Sequence, residues 1–129
     1  MELKDLMPQE ATINLNEKEY TLRKINLEDE VWLKQKFGQQ INTVFVDQDM
    51  DAISKLTFRL LKDKKDFLPI KESGYDDDGE AKELSITGPQ RILRSMHGAQ
   101  QKEDLLWAVF QTFGISRPEE TEEGDGPKE

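Results

Sequence analysis

The sequence predicts an α+β domain, mainly helical, with an N-terminal β-hairpin packed on about four helices and a disordered acidic C-terminal tail. Three observations carry this. Residues 10–25 alternate apolar and polar side chains with the period of a strand. Four later stretches repeat apolar residues at helical spacing. Beyond Pro118 the chain is almost entirely Glu, Asp, Gly, Pro and Lys, which cannot bury enough surface to order itself.

In the hairpin, Ile13 and Leu15 alternate with Thr12 and Asn14, and Tyr20 and Leu22 with Thr21 and Arg23. Asn16–Glu19 supplies the turn, since Asn tolerates left-handed backbone. A helix near 27–37 follows, with Asn26 as N-cap and Glu28, Asp29 and Glu30 in the first turn, where the helix dipole favours acids. Its expected apolar stripe is Leu27, Val31 and Trp32, with Leu33 and Phe37 alongside, and Gly38 closes it. Residues 39–46 fit a helix tail, a short strand or a packed loop equally well. A second helix, near 50–65, starts at Asp49 or Asp51 and turns Ile53, Leu56, Thr57, Leu60 and Leu61 to the core.

Residues 70–86 carry Gly74, Gly79 and an Asp run, and read as a mobile acidic loop, with one short strand conceivable at 83–87. Gly88-Pro89 opens a helix near 89–97, with the stripe Ile92, Leu93, Met96. The last helix, near 100–113, repeats Leu105, Leu106, Val109, Phe110 and Phe113, then ends at Gly114 with Ile115 placed for a Schellman contact. The division is one globular domain over 1–116 and a disordered tail over 117–129. A chain of 129 residues suits a single domain with a real core.

The net charge is −9, and it is localised. Six acids against two lysines fall in 71–83, and six acids against two bases fall in 117–129. The rest is nearly neutral. Without clustered Lys and Arg, neither nucleic acid nor an anionic membrane is an expected partner. There is no cysteine, so disulfides, thiolate nucleophiles and Cys-bound zinc are excluded. Met1–Gln9 mixes Glu2, Lys4 and Asp5 with its apolar residues, unlike a secretory leader, and no stretch approaches the ~20 apolar residues of a membrane span. A cytoplasmic protein is expected.

No catalytic, metal or cofactor site is expected. Asp47, Asp49 and Asp51 match the first ligand positions of an EF-hand loop, but Ala52 replaces its glycine and Phe58 its bidentate Glu, so helix caps are the plainer reading. Asp76–Gly79 fails the same test. His97 has no triad partner in sequence, and a helix C-terminus explains it. Arg59, Lys62, Lys64, Lys65, Arg91 and Arg94 read as solvated helix faces. The apolar residues say more. Trp32, Phe37, Trp107 and Phe110 are the candidates for a helix-receiving, partner-binding face, with ordinary core as the alternative.

The opening run MELKDLMPQEATINLNEKEYTLRKINLEDEVWLKQKFG resembles the N-terminus of tail assembly chaperones of long-tailed bacteriophages and prophages. The shared positions are Ile13, Leu15, Asn16, Lys18, Glu19, Tyr20, Leu22 and Arg23, then Leu27, Asp29, Trp32 and Leu33, then Phe37 and Gly38. Glu17 departs from the pattern, since Gly is common there. The stretch DAISKLTFRLLKDKKDF is similar to the family's second helix, so the likeness covers about the first half of the chain. It implies a non-catalytic chaperone in virion morphogenesis that binds the long helical tape-measure protein and keeps it soluble while tail-tube subunits polymerise. It also implies contact with the major tail-tube protein, self-association in multiple copies, residence in the host cytoplasm and absence from the mature virion. Many such proteins have a longer frameshifted form, for which the acidic end would serve as a linker. The rival expectation is an acidic regulatory adaptor or inhibitor of a host or phage protein, which requires acids clustered on the folded surface.

Overall fold

A computed structural model describes residues 7–38 and 41–115, with no side-chain detail at 41 and 42. Among the described residues the architecture is α+β, with two small antiparallel sheets and five α-helices. The expected tail at 117–129 lies outside the described residues, as do Gln39 and Gln40.

Strands β1 (Ala11–Leu15) and β2 (Lys18–Leu22) pair with Leu15 opposite Lys18. The turn is therefore only Asn16 and Glu17, both at positive φ (54° and 66°), as a two-residue type I′ hairpin requires. Ala11, Ile13 and Leu15 face the core, while Thr12 and Asn14 face solvent. The hairpin is marginal alone, and backbone bonds anchor it. Arg23 N–H donates to Leu60 O (2.8 Å), Lys62 N–H to Thr21 O (3.0 Å) and Ile25 N–H to Thr112 O (3.2 Å).

Helix α1 (Leu27–Phe37) opens with a capping box between Asn26 and Asp29, and Gly38 ends it at φ 60°. The expected stripe is wrong. Leu27 is 76% and Val31 55% exposed, while Asp29 and Leu33 are the buried residues. An ion-pair network draws Asp29 inward, and Leu33, one turn on, shares its face.

The ambiguous 39–46 stretch contains a short helix, α2 (Ile41–Val46), which buries Val44. Helix α3 (Met50–Leu60) is capped by Asp49, whose carboxylate accepts the Ala52 N–H, and Ile53, Leu56, Thr57, Leu60 and Leu61 are all buried as expected. It ends at Leu60 rather than near 65, because Leu61 turns extended and bridges to Leu22 on the edge of β2. A 3-10 turn (Lys65–Phe67) then buries Phe67 against the Tyr20 ring.

The expected mobile loop at 70–86 is a second hairpin, β3 (Ile70–Tyr75) with β4 (Ala81–Ile86). Most of its side chains are exposed on both faces, which removes the alternation that would reveal it. The Asp run is the turn itself. Gly79 N–H donates to Asp76 O, Gly79 takes φ 84°, and the Asp76 carboxylate accepts the N–H groups of Asp78 and Glu80 at 2.9 Å each.

Helix α4 (Gly88–Arg94) is capped by Thr87 in a box with Gln90 and carries Pro89 in its first turn. It stops at Arg94, short of 97, where the Ser95 hydroxyl bonds back to Ile92 O. Helix α5 (Ala99–Thr112) buries Leu105, Leu106, Ala108, Val109 and Thr112. It ends in the expected Schellman pattern: Ile115 N–H donates to Phe110 O, Gly114 N–H donates to Gln111 O, and Gly114 sits at φ 97°. The buried residues form one cluster drawn from the first hairpin, α1, α2, α3, α4, α5 and Phe67.

Candidate binding surfaces

The most constrained polar group is Asp29, which is fully buried. Arg23 grips it with two bonds (2.6 and 2.8 Å), Arg59 Nε donates at 2.8 Å, and the Asn26 N–H donates at 2.9 Å. The Arg23 fork, above all, holds the Asp29 carboxyl well below the usual carboxylate range, with Asn26 and Arg59 adding to it, against the opposing effect of burial. Asp29 thus fixes two guanidiniums contributed by β2's exit and by α3.

Arg59 continues outward. Its guanidinium carbon lies 4.9 Å from the Trp32 ring centre, and Trp32 meets Phe37 edge to face at 5.9 Å. Beside them opens a cleft of about 550 Å³. Trp32 and Phe58 supply its apolar wall, and Arg23, Lys36, Lys55, Arg59 and Lys64 its charge, with Thr87 and Pro89 at the α4 end. Lys64 Nζ donates to Leu61 O (2.7 Å) and lies 5.4 Å from the Phe58 ring centre. Burial, then the nearby Arg23 and Arg59 charges, push its pKa down.

A second cleft, about 330 Å³, runs between β1 and α5, lined by Thr12–Leu15 and by Trp107 and Gln111 among others. Trp107 packs edge to face on Phe110 (5.4 Å), Phe110 meets Phe45 at a tilt (5.4 Å), and Phe45 packs edge to face on Phe113 (5.7 Å).

The four candidate residues are all half-buried, but they do not form one face. Trp32 pairs with Phe37 on α1, and Trp107 with Phe110 on α5, and the two tryptophans line separate clefts. Spacing within a helix holds no information on how α1 and α5 sit relative to each other. Compared with known protein families, curated proteins and solved structures, the chain matches none.

Sequence reasoning missed the cationic cleft. Arg59 and Lys64 are not simply solvated, Arg23 and Phe58 carry other roles in the sequence reading, and Lys36 and Lys55 have none there. In the sequence Asp29 stands among the first-turn acids that the helix dipole already explains, so nothing there points to cations gathering around it. Outside the cleft Arg94 pairs with Glu72 (2.8 Å), Arg91 donates to Leu68 O (2.8 Å), and Lys62 pairs with Glu10.

Asp49 is a helix cap and Asp51 pairs with Lys55 (2.9 Å); among the described residues no three ligating side chains gather as a metal site. His97 is exposed and lies three residues beyond the end of α4, so the helix dipole does not explain it. Among the described residues no helix is long and apolar enough to cross a membrane.

Proposed function

We propose that this chain is a non-catalytic phage tail assembly chaperone that binds the helical tape-measure protein and keeps it soluble during tail assembly. The observation that carries this reading is on α1. Leu27 and Val31, one turn apart on the same face, are exposed on the helix that also carries half-buried Trp32 and Phe37. An apolar ridge of that kind suits the apolar face of a partner helix. The resemblance of 1–38 and 51–67 to the chaperone family supplies the identity of the client.

The test is a pull-down of the N-terminally tagged chain from cells carrying its native gene cluster, with mass spectrometry of what co-purifies. The expected catch is a very long, largely helical protein. Leu27→Lys with Val31→Lys removes it while leaving the circular dichroism melt unchanged, because both side chains are in solvent. Recovery of no such protein, or equal recovery by the variant, rejects the reading.

One observation favours the rival adaptor. The acids of 76–80 crown a formed hairpin rather than a loose loop, so the folded surface does carry an acid cluster. Recovery of a nuclease, a polymerase subunit or another DNA-binding protein in the same pull-down would select the adaptor.

A further inference from the structure

We propose that this chain associates head to tail with copies of itself, the acidic tip of the β3–β4 hairpin of one copy seating in the cationic cleft beside Trp32 and Phe58 of the next. Association in multiple copies is what the resemblance implies; the two surfaces that meet are inferred from this chain's own residues.

The two surfaces are complementary in charge and kind. Around Trp32 and Phe58 the cleft holds five cations, against which stand Asp29, Asp51 and, near Arg23, Glu28. Arg23 and Arg59 are already oriented by Asp29, so they lose little freedom on meeting a carboxylate. The Lys55–Asp51 pair is solvated and easily exchanged for another acid. The hairpin tip presents Asp77, Asp78 and Glu80 next to Tyr75, a residue 72% exposed. The Asp76 carboxylate pins the turn through two backbone N–H groups, so the tip is shaped before it binds. A tyrosine flanked by carboxylates is what an aromatic wall ringed by Lys and Arg would take.

Geometry makes the contact intermolecular. Strand β4 ends at Ile86, and the next residue, Thr87, lines the cleft. The base of the hairpin is therefore at its own cleft, and a six-residue strand carries the tip roughly 20 Å away. A straight two-stranded arm cannot fold its tip back over that distance, but it can reach a neighbour. Such an arm is also marginal in water, and docking would cover it. Because arm and cleft are different patches, the contact is heterologous and builds rings or filaments rather than a closed two-fold dimer.

Sedimentation velocity on the full chain, from low to high micromolar concentration, tests this. The expected result is a mass that rises with concentration at low salt, with affinity falling at least about tenfold near molar salt, where the Debye length shrinks to roughly 3 Å. Two variants spare the fold. The arm variant is Asp77→Lys, Asp78→Lys, Glu80→Lys, leaving Asp76 to hold the turn. The cleft variant is Lys36→Glu, Lys55→Glu, leaving Arg23 and Arg59 on Asp29 and Lys64 on its carbonyls. Each alone is expected to stay monomeric with an unchanged melt. Their equimolar mixture is expected to form a dimer and nothing larger, since one copy supplies the only intact arm and the other the only intact cleft. A wild-type chain that stays monomeric, a variant that associates as wild type does, or a mixture that stays monomeric overturns the proposal. Dissociation on replacing Glu119, Glu120, Glu122 and Glu123 by Gln, with the arm variant still associated, would overturn it in favour of the C-terminal acids as occupant.

Discussion

The Arg59 guanidinium carbon lies 4.9 Å from the centre of the Trp32 ring, on the open side of a residue whose Nε is bonded to buried Asp29. One arginine thereby joins the fully buried Asp29 charge to the aromatic wall of the cationic cleft. The charge is the more consequential end. Asp29→Asn keeps the shape but leaves two guanidiniums facing a neutral amide that supplies a donor where they need acceptors. We expect a loss of roughly 3 kcal/mol in urea denaturation. The pH dependence follows from the depressed Asp29 pKa. A carboxylate whose folded pKa lies below its unfolded value, about 3.9, stabilises fully above that value and loses the contribution as pH falls toward the folded pKa. Wild-type stability should therefore fall progressively below about pH 4, and the Asn variant should show a shallower fall. Parallel acid titrations of the two proteins would refute this assignment.

Trp32 and Trp107 test whether the aromatic pairs are surface or core. Trp32→Ala removes the stacking of Arg59 and the edge contact with Phe37. Trp107→Ala removes the edge contact with Phe110 and opens the cleft beside β1. Each ring is half-buried, so each loss should be about 2 kcal/mol, and both melts should remain cooperative. Trp32→Ala should also weaken client recovery in the pull-down, while Trp107→Ala should leave self-association intact because it lines the other cleft. Chains that fail to fold in both cases would make the rings part of the core.

How legible this was in the sequence depended on which residues carried two signals at once. Asn26 and the Gly114-Ile115 pair each join a cap chemistry to an adjoining helix and bound it where expected, and of the two caps open to the next helix, Asp49 and Asp51, the structure takes Asp49. The second hairpin carried neither an alternation nor a strand-rich composition, because most of its side chains are exposed and Ile86 is its one buried residue. Its Asp76–Gly79 turn therefore looked like loop chemistry, when it was hairpin chemistry. On α1 part of the apolar period, Leu27 and Val31, points outward, while Leu33 points in. Hydrophobicity cannot tell a core stripe from a docking stripe, and only the partners of Asp29 decide which face turns in. The cationic cleft gathers residues from β2's exit, α1, α3 and Lys64 beyond α3, a juxtaposition that no local pattern encodes.

Gly88 is a close-approach residue. A Cβ built there would lie 2.3 Å from Phe58 Cε1 and 2.6 Å from the Phe67 carbonyl oxygen. The ring could shift, but the backbone carbonyl follows a buried Phe67 and has little room to yield. Gly88→Ala should thus cost about 2 kcal/mol by overpacking, read as a lower denaturation midpoint with an unchanged slope. Since Phe58 also walls the cleft, the same variant should weaken self-association, which sedimentation would show. An alanine variant as stable as the parent would mean that α4 slides along α3 without penalty.

Glu17 offers the opposite change. The two-residue turn between β1 and β2 holds Asn16 at φ 54° and Glu17 at φ 66°, and only the first is a residue suited to left-handed backbone. A non-glycine, non-Asn residue in that region is strained by roughly 1–2 kcal/mol. Glycine removes this strain but loses more backbone entropy on folding, by roughly 0.5–1 kcal/mol. The strain term is the larger, so Glu17→Gly should stabilise the protein by about 0.5–1 kcal/mol, measured as a raised denaturation midpoint. The Lys18–Asp66 and Tyr20–Asp66 bonds just beyond the turn should persist, because the register of β1 on β2 is unaltered. A neutral or destabilising result would mean that the Glu17 conformation is relieved by the surrounding hairpin and that the departure from glycine carries no thermodynamic penalty.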